Sequence, residues 1–339
     1  MSSQTVFITG ATGYIAQHII IQLLNKGYHV IGQVRSSSKG DALAKDVNNK
    51  NFSYEVVEVF EKEGSFDAVL AKHPEVSIFL HTASPATFSV EDNERDILIP
   101  AVDGTKNVLK SIKKVAPQIK RVVVTSSIVA AATFAELEDP TYVGGEDSWL
   151  STTYEEAKTA DSAVAYTVSK KYAELAAWDF VKQETPKFKL TTVLPGYVFG
   201  PQAFESGLKN LNLTAAFVAN ALQLKREDTI PAVISLSADV RDIAKAHILA
   251  FEKEDAVDKR IAVYSTRFQY SEFVDIIRRN FKEYDAKLPV TETLPADHFD
   301  NFVKFDDSKS RKILDFEYIK LEKTIVDLIA QVLAYQNKA

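Results

Sequence analysis

Two Tyr-x-x-x-Lys pairs could supply the proton chemistry of carbonyl reduction: Tyr154 with Lys158, and Tyr166 with Lys170. On a helix, residues four positions apart share a face, so the ammonium group can lie near the phenol and lower its pKa from the usual value of about 10. A tyrosine tuned in this way can donate a proton to a carbonyl oxygen. A chain of 339 residues with 13 tyrosines contains about one such spacing by chance, so the surroundings must decide between the pairs.

The surroundings of the two pairs favour the second. Tyr166 and Lys170 lie in the run AYTVSKKYAELAAWDFVK, whose apolar residues predict a helix from Asp161 to Lys182. The first pair lies in the polar stretch before that helix, where a solvated face is typical. We therefore predict that Tyr166 donates the proton and that Lys170 tunes it and binds the cofactor ribose.

A serine at the end of a predicted strand completes this candidate site. The run RVVVTS predicts a strand from Arg121 to Ser126, and Ser127 follows it directly. Parallel α/β sheets bind ligands outside the carboxyl ends of their strands. We predict that the Ser127 hydroxyl hydrogen-bonds the carbonyl oxygen, with Ser126 as the adjacent alternative.

A glycine turn near residue 10 predicts a dinucleotide site. The run TGATGYIA joins a predicted strand, Thr5–Thr9, to a helix predicted from Tyr14 to Lys26. Gly10 permits the tight turn, Gly13 lets a pyrophosphate approach the helix amino terminus, and Ala16 permits close packing of helix and strand. The predicted cofactor-binding residues of this turn are Gly10, Thr12, Gly13, Tyr14 and Ile15.

The end of the second predicted strand, His29–Val34, decides between the two nicotinamide cofactors. NAD-binding sheets usually place an acid there, about 20 residues after the glycines, to accept the ribose 2′-hydroxyl. No Asp or Glu occurs between Asn25 and Gly40. Arg35 follows the strand instead, with Lys39 nearby, and a guanidinium group can bind a 2′-phosphate. The sequence therefore predicts NADPH/NADP+ as the cofactor.

Strands and helices alternate along the chain as far as Pro195. Further strands are expected at 52–59, 76–81 and 189–194, and further helices at 66–72 and 92–115. Strands separated by helices imply βαβ units. The predicted fold class is therefore α/β, a Rossmann doubly wound parallel sheet with a smaller carboxyl-terminal substrate lobe.

The pattern becomes irregular after Pro195, which is where we place the start of the second lobe. Helices are expected at 239–252, 271–281 and 321–335, with a strand at 260–264. The predicted NADP-binding Rossmann domain covers residues 1–198 plus about 230–262. The predicted substrate-binding lobe covers about 199–229 plus 263–339.

The composition excludes several classes of protein. Forty basic residues against 46 acidic ones give a net charge of −6, so we expect no nucleic-acid partner. The absence of cysteine rules out disulfides and thiolate-bound zinc, and the six histidines lack metal-ligand spacing, so we expect no metal. The start MSSQTVFITG does not resemble a signal peptide, and no apolar run reaches the roughly 18 residues that span a bilayer. We expect a cytoplasmic protein with no membrane partner.

Longer runs make the chain similar to a known family. It resembles the extended short-chain dehydrogenase/reductases, in the dihydroflavonol-reductase-like branch that includes yeast NADPH-dependent methylglyoxal and aldehyde reductases, in runs such as TGATGYIAQHI, FLHTASPATF, YTVSKKYAELAAWDF, LPGYVFGPQ and DVRDIAKAHILAF. The resemblance places the catalytic serine, tyrosine and lysine on Ser127, Tyr166 and Lys170. It also implies cofactor contacts from Thr82, Ala83 and Ser84, and from Pro195 and Val198.

The chain departs from the family pattern at a few positions. Val59 follows the third strand where many relatives carry an Asp that holds adenine, and Ala101 replaces the asparagine of many members' proton relay. The candidate substrate residues are Ala86, Ile128, Ala132 and Tyr197. The first three stand where some close relatives have aromatic residues, so we expect a roomy pocket that suits bulky carbonyls.

These features predict an NADPH-dependent reductase of aldehydes and ketones that binds a small-molecule carbonyl substrate and acts as a monomer or homodimer. One alternative is a nucleotide-sugar epimerase or dehydratase of the same superfamily. These enzymes retain NAD and usually have the acid that is missing near Arg35. A second alternative is a non-catalytic NADP-sensing regulator, which would have no use for the pair Tyr166 and Lys170.

Overall fold

The computed structural model describes residues 4–84, 90–139, 141–292 and 302–338. Its strands are β1 Thr5–Thr9, β2 His29–Val34, β3 Phe52–Val56, β4 Val76–His81, β5 Arg121–Thr125, β6 Val143–Gly145, β7 Lys189–Pro195, β8 Tyr197–Phe199, β9 Ile234–Asp239, β10 Arg260–Val263, β11 Thr266–Gln269 and β12 Lys304–Asp306. Its α-helices are α1 Tyr14–Asn25, α2 Ser37–Val47, α3 Asp67–Ala71, α4 Ile99–Val115, α5 Phe134–Glu138, α6 Tyr154–Thr159, α7 Ser162–Glu184, α8 Leu213–Ala219, α9 Val240–Glu252, α10 Tyr270–Asn280, α11 Lys282–Asp285, α12 Ser308–Leu314 and α13 Leu321–Gln336.

Seven strands form the central sheet, in the order β10-β7-β5-β4-β1-β2-β3. Every neighbouring pair in it is parallel. One apolar core lies between the sheet and α1 and α9, and a second lies between the sheet and α3, α4 and α7. The predicted Rossmann doubly wound sheet is therefore confirmed. Its strand order changes direction between β1 and β4, and such a point is where these sheets bind ligands.

The bounds of the sheet strands follow the sequence pattern closely. β1, β2 and β4 have the predicted bounds, and β3 ends at Val56 rather than Val59. The helix α2 was not predicted. Only Gly40 and Leu43 of its 11 residues are buried, so its sequence carries too narrow an apolar stripe for the helical period to be visible.

The long helix α7 carries the favoured tyrosine and lysine. The Asp161 side chain caps it by accepting the backbone N–H groups of Ala163 and Val164, which would otherwise lack acceptors. The helix ends at Glu184, two residues beyond its predicted end. α7 packs against α4 and against the sheet, so its inner face is fixed relative to the strand ends.

A smaller sheet follows the central one, in the order β11-β9-β8. Phe199, Phe268 and Phe273 form its core with apolar residues of α8, α10 and α13. The division of the chain into two lobes at the residues given above stays a prediction. Among the described residues, no helix is long and apolar enough to cross a membrane, and no cluster of His, Asp and Glu side chains is suited to hold a metal ion.

Candidate active site

The glycine turn lies at the carboxyl end of β1, as the sequence pattern predicts. Gly10 has φ +64°, a backbone conformation that side chains with a Cβ atom rarely adopt. A Cβ atom on Gly10 would also lie 3.0 Å from the backbone Cα of Ala83, in the loop after β4. Glycine is therefore required here both by the turn and by the close approach of the neighbouring loop.

The amino terminus of α1 is suited to a phosphate group. The Gln17 N–H makes the first helical bond, to the Gly13 carbonyl, so the N–H groups of Tyr14 and Ile15 have no helical acceptor. Gly13 provides no side-chain cap, and the first turn holds no acid. Exposed N–H groups at the positive end of a helix bind anions. These residues fit the pyrophosphate of a dinucleotide.

A buried amide at the end of β2 holds the glycine turn. The Gln33 side chain accepts the Gly10 N–H at 2.9 Å and donates to the Val57 carbonyl at 2.8 Å. Gln33 was not singled out in the sequence, although a polar residue in an otherwise apolar strand was the available signal. Arg35 follows it as an exposed side chain, and neither Arg35 nor Lys39 makes an ion pair with any residue that the structure describes. A cation without a partner beside the turn fits a ribose 2′-phosphate.

The loop after β4 is organised by the hydroxyl of Thr9. This oxygen accepts the N–H groups of Thr82 and Ala83 at 3.1 Å each and lies 2.9 Å from His81 Nδ1. Because the two N–H donors occupy the lone pairs of the hydroxyl oxygen, its own proton points to Nδ1, and His81 carries its proton on Nε2. Burial, with a contribution from the nearby Lys170 charge, lowers the pKa of His81 to about 3, so its ring is neutral. Ser84 continues this loop.

Tyr166 and Lys170 lie one helical turn apart on the inner face of α7. The Lys170 Nζ is 5.8 Å from the centre of the Tyr166 ring. Burial, with a smaller contribution from Tyr197, raises the pKa of Tyr166 to about 12. The structure therefore gives a tyrosine pKa raised by burial rather than the lowered one that the spacing to Lys170 predicts.

The Lys170 ammonium group is poised to bind a ligand. Lys170 is 7% exposed, and it makes no hydrogen bond or ion pair with the residues in the described ranges. Burial lowers its pKa to about 8. A buried amine without a partner is costly unless a further group satisfies it, and ribose hydroxyls would do so.

The two serines after β5 have different partners. The Ser126 hydroxyl is buried and donates to the Glu174 carboxylate at 2.6 Å. The Ser127 hydroxyl is partly exposed, and its hydrogen bonds to the Pro195 carbonyl and from the Val129 N–H are long, at 3.4 Å each. Ser127 is therefore the serine whose hydroxyl is available to a substrate.

The other tyrosine–lysine pair is occupied by ion pairs. Lys158 Nζ lies 3.1 Å from a Glu94 carboxylate oxygen and 2.9 Å from a Glu155 carboxylate oxygen. Burial, followed by the charge of Glu94, raises the pKa of Tyr154. Lys158 Nζ also lies 5.5 Å from the centre of the Tyr154 ring, but its charge is balanced by two carboxylates, so the surroundings of this pair favour a structural role.

The candidate substrate residues that the structure describes differ in their exposure to solvent. Tyr197 is partly exposed, and its ring centre lies 6.5 Å from that of Phe134, which the sequence analysis missed. Ile128 and Ala132 are 1% and 0% exposed, so their side chains do not reach the surface in this structure. Ala86 lies outside the described residues. The roomy pocket stays a prediction.

Two further predicted cofactor residues, Pro195 at the end of β7 and Val198 within β8, are both buried. The side chain of Tyr14 is directed away from the glycine turn, because its hydroxyl donates to the Gly200 carbonyl at 2.6 Å. Tyr14 can therefore offer a cofactor its backbone N–H while its phenol holds the turn after β8.

Comparison with known proteins identifies the family. Residues 6–264 match the model of the NAD dependent epimerase/dehydratase family. The chain belongs to this family, the extended short-chain dehydrogenase/reductases, and the resemblance stated above is confirmed.

The chain is similar to three reductase-related proteins along almost its whole length. The NADPH-dependent methylglyoxal reductase of Saccharomyces cerevisiae is 41% identical over 98% of this chain and 99% of its own. The Candida albicans protein Gre2, solved in complex with NADPH, is 44% identical with a TM-score of 0.93 and the same two coverages, 98% and 99%. A reductase whose structure guided engineering for asymmetric catalysis is 52% identical with a TM-score of 0.94, again over 98% and 99%.

Proposed function

We propose that this chain is an NADPH-dependent carbonyl reductase, an oxidoreductase that reduces aldehydes and ketones to alcohols. The observation that carries the proposal is the pair of Tyr166 and Lys170 on one face of α7, with the Lys170 amine buried and unbonded among the described residues. Relatives of full-length similarity include an NADPH-dependent methylglyoxal reductase and a protein solved with NADPH, which supports the assignment of cofactor and reaction.

The reaction needs a hydride, a proton and a held carbonyl. NADPH, when bound, supplies the hydride to the carbonyl carbon. Tyr166 donates its phenolic proton to the carbonyl oxygen, and its raised pKa keeps it protonated at neutral pH. The Lys170 ammonium group stabilises the phenolate that remains, and Ser127 donates a hydrogen bond to the same carbonyl oxygen.

The cofactor is held along the carboxyl edge of the central sheet. The backbone of the glycine turn binds the pyrophosphate, and Arg35 with Lys39 binds the 2′-phosphate. Lys170 binds the ribose next to the nicotinamide. The remaining cofactor contacts come from Thr82, Ala83, Ser84, Pro195 and Val198.

The alternatives make different predictions in one assay. The purified protein is mixed with NADPH and a panel of small aldehydes, 2-oxoaldehydes, aryl ketones and β-keto esters, and NADPH oxidation is followed by absorbance. We expect turnover of several members of the panel. NADPH binding with no turnover of any carbonyl would favour the regulator, and isomerisation of nucleotide sugars with retained NAD would favour the epimerase.

The choice of NADPH over NADH depends on Arg35. Arg35→Ala removes a charged hydrogen bond, worth about 1.5–3 kcal/mol, so NADPH affinity should fall about 10- to 150-fold while NADH affinity stays nearly the same. Steady-state kinetics with both cofactors measures the ratio. Arg279→Ala is the control, because that arginine pairs with Asp275 and Glu322 on the surface. An unchanged NADPH/NADH ratio in Arg35→Ala would contradict the assignment.

The size of the carbonyl is set in part by the Tyr197 ring. Tyr197→Ala should raise kcat/KM for an aryl ketone relative to methylglyoxal by about tenfold or more, since apolar contacts in a pocket give about 1–3 kcal/mol of discrimination. Tyr197→Phe keeps the ring and should leave the ratio near the wild-type value. Equal changes for both substrates in Tyr197→Ala would show that this ring does not contact the substrate.

We also propose that the enzyme works in the cytoplasm as a monomer or homodimer. Light scattering on the NADPH-bound protein measures its mass against 37.7 kDa per chain. Cell fractionation measures its location. A larger assembly or an organellar location would contradict these two proposals.

A further inference from the structure

A buried carboxylate, that of Glu174, lies on the same inner face of α7 as Tyr166 and Lys170. Tyr166, Lys170 and Glu174 follow one another at spacings of four residues, so they form one stripe along the helix. The Glu174 side chain is 0% exposed. The proposed reaction does not use it, and a carboxylate is buried in a protein only where charged or polar partners satisfy it.

The partners of Glu174 come from three strands of the central sheet. Its carboxylate accepts hydrogen bonds from Ser126 after β5 at 2.6 Å, from Thr192 on β7 at 2.7 Å, and from Arg260 at the start of β10 at 2.7 and 3.2 Å. Trp178 on α7 also donates to it, at 3.2 Å. These bonds fix the position of α7 along its own axis and its rotation about that axis, relative to the sheet.

Arg260 is itself held on its other side. Its Nη1 group donates to the carbonyls of Glu146 and Ser148 at 2.8 and 2.6 Å, and its guanidinium group lies 3.8 Å from the centre of the Trp149 ring. An arginine held by two carbonyls and an aromatic face has little freedom to follow a moving helix. The pair Glu174–Arg260 is therefore a rigid anchor between α7 and the sheet.

We propose that Glu174 is a positioning residue for the reduction, which deepens the proposed function and rests on it. Lys170 lies about 6 Å and Tyr166 about 12 Å along the helix from Glu174, so the anchor sets the place of both side chains without touching the substrate. Through its hydrogen bond with Ser126, the same carboxylate fixes the chain after β5, and Ser127 is the next residue. One buried group thus aligns all three proposed catalytic residues.

Two adjacent threonines allow a matched test. Thr192 and Thr191 are both buried on β7, but the Thr192 hydroxyl donates to Glu174 and the Thr191 hydroxyl donates to the Ala256 carbonyl at 2.8 Å. The Thr191 hydroxyl also lies 3.4 Å from the Ala250 carbonyl. Thr192→Val and Thr191→Val therefore each remove one buried hydroxyl donor, from opposite faces of the same strand. Glu174→Gln removes the charge of the anchor while keeping its shape.

We would measure kcat, normalised to the concentration of folded protein, together with KM and NADPH affinity. We would also measure the exchange rate of the backbone amide hydrogens of residues 166–170. We expect kcat to fall about tenfold in Thr192→Val and about a hundredfold in Glu174→Gln, with KM and NADPH affinity within about threefold, because small misplacements cost rate more than binding. Exchange at 166–170 should become about tenfold faster in both variants. Thr191→Val should leave both readouts within about twofold.

Two outcomes would overturn the positioning role. One is a kcat in Thr192→Val equal to that in Thr191→Val. The other is unchanged exchange at 166–170 in Thr192→Val and Glu174→Gln, or in Thr192→Val alone if Glu174→Gln does not fold. If the wild-type protein reduces no carbonyl, the proposed function fails, while the exchange measurement still decides whether Glu174 holds this face of α7.

Discussion

Tyr166→Phe should lower kcat by about 10²- to 10⁴-fold while NADPH binds with nearly the wild-type affinity. The phenylalanine keeps the ring and its packing but has no proton to donate, and donation by a positioned acid is typically worth this factor. Turnover of an aldehyde and NADPH binding by fluorescence measure the two quantities separately.

The matched control for this variant is Tyr154→Phe. Tyr154 has the same spacing to a lysine, but Glu94 and Glu155 occupy that lysine, so the change should leave kcat within about twofold. A large loss in Tyr154→Phe, or equal losses in both variants, would assign the proton donor to the other pair.

Reductase activity should fall as the pH rises through about 8, the pKa to which burial lowers Lys170. Above that pH the amine loses its proton and can no longer stabilise a phenolate on Tyr166. His81 and Tyr166 keep their charge states between pH 6 and 10, because the pKa of His81 is about 3 and that of Tyr166 is about 12. The pH dependence of kcat at saturating NADPH checks this.

Lys170→Met tests whether Lys170 causes the fall in kcat near pH 8, which appears as a break in the pH profile. The variant should lose about 10²- to 10³-fold in kcat, the usual cost of removing one preorganised electrostatic group, and its remaining rate should show no break near pH 8. Lys158→Met, which removes a partly exposed and ion-paired amine, should keep the wild-type profile. A break near pH 8 that persists in Lys170→Met would show that another group titrates there.

The strands β1 and β2 of the central sheet could be predicted from the sequence because they are buried on both faces. All five residues of β1 and five of the six in β2 are buried, so each appears as a mostly apolar run that ends at Gly10 or Arg35. The helix α2 could not be found in this way, since only two of its residues face the core. The short strands β6 and β12, of three residues each, leave no period to detect.

The sequence by itself determined the α/β class, the glycine turn and the absence of an acid near Arg35, and it predicted Tyr166 with Lys170 as the catalytic pair. These features depend on residue type and local spacing, so they can be predicted without knowledge of contacts between distant parts of the chain. Only the tertiary structure decided that Ser126 is bound to Glu174, that Gln33 holds Gly10, and that the Tyr166 pKa rises. Each of these depends on burial or on partners far apart in the chain, and burial is set by packing, which local spacing does not encode.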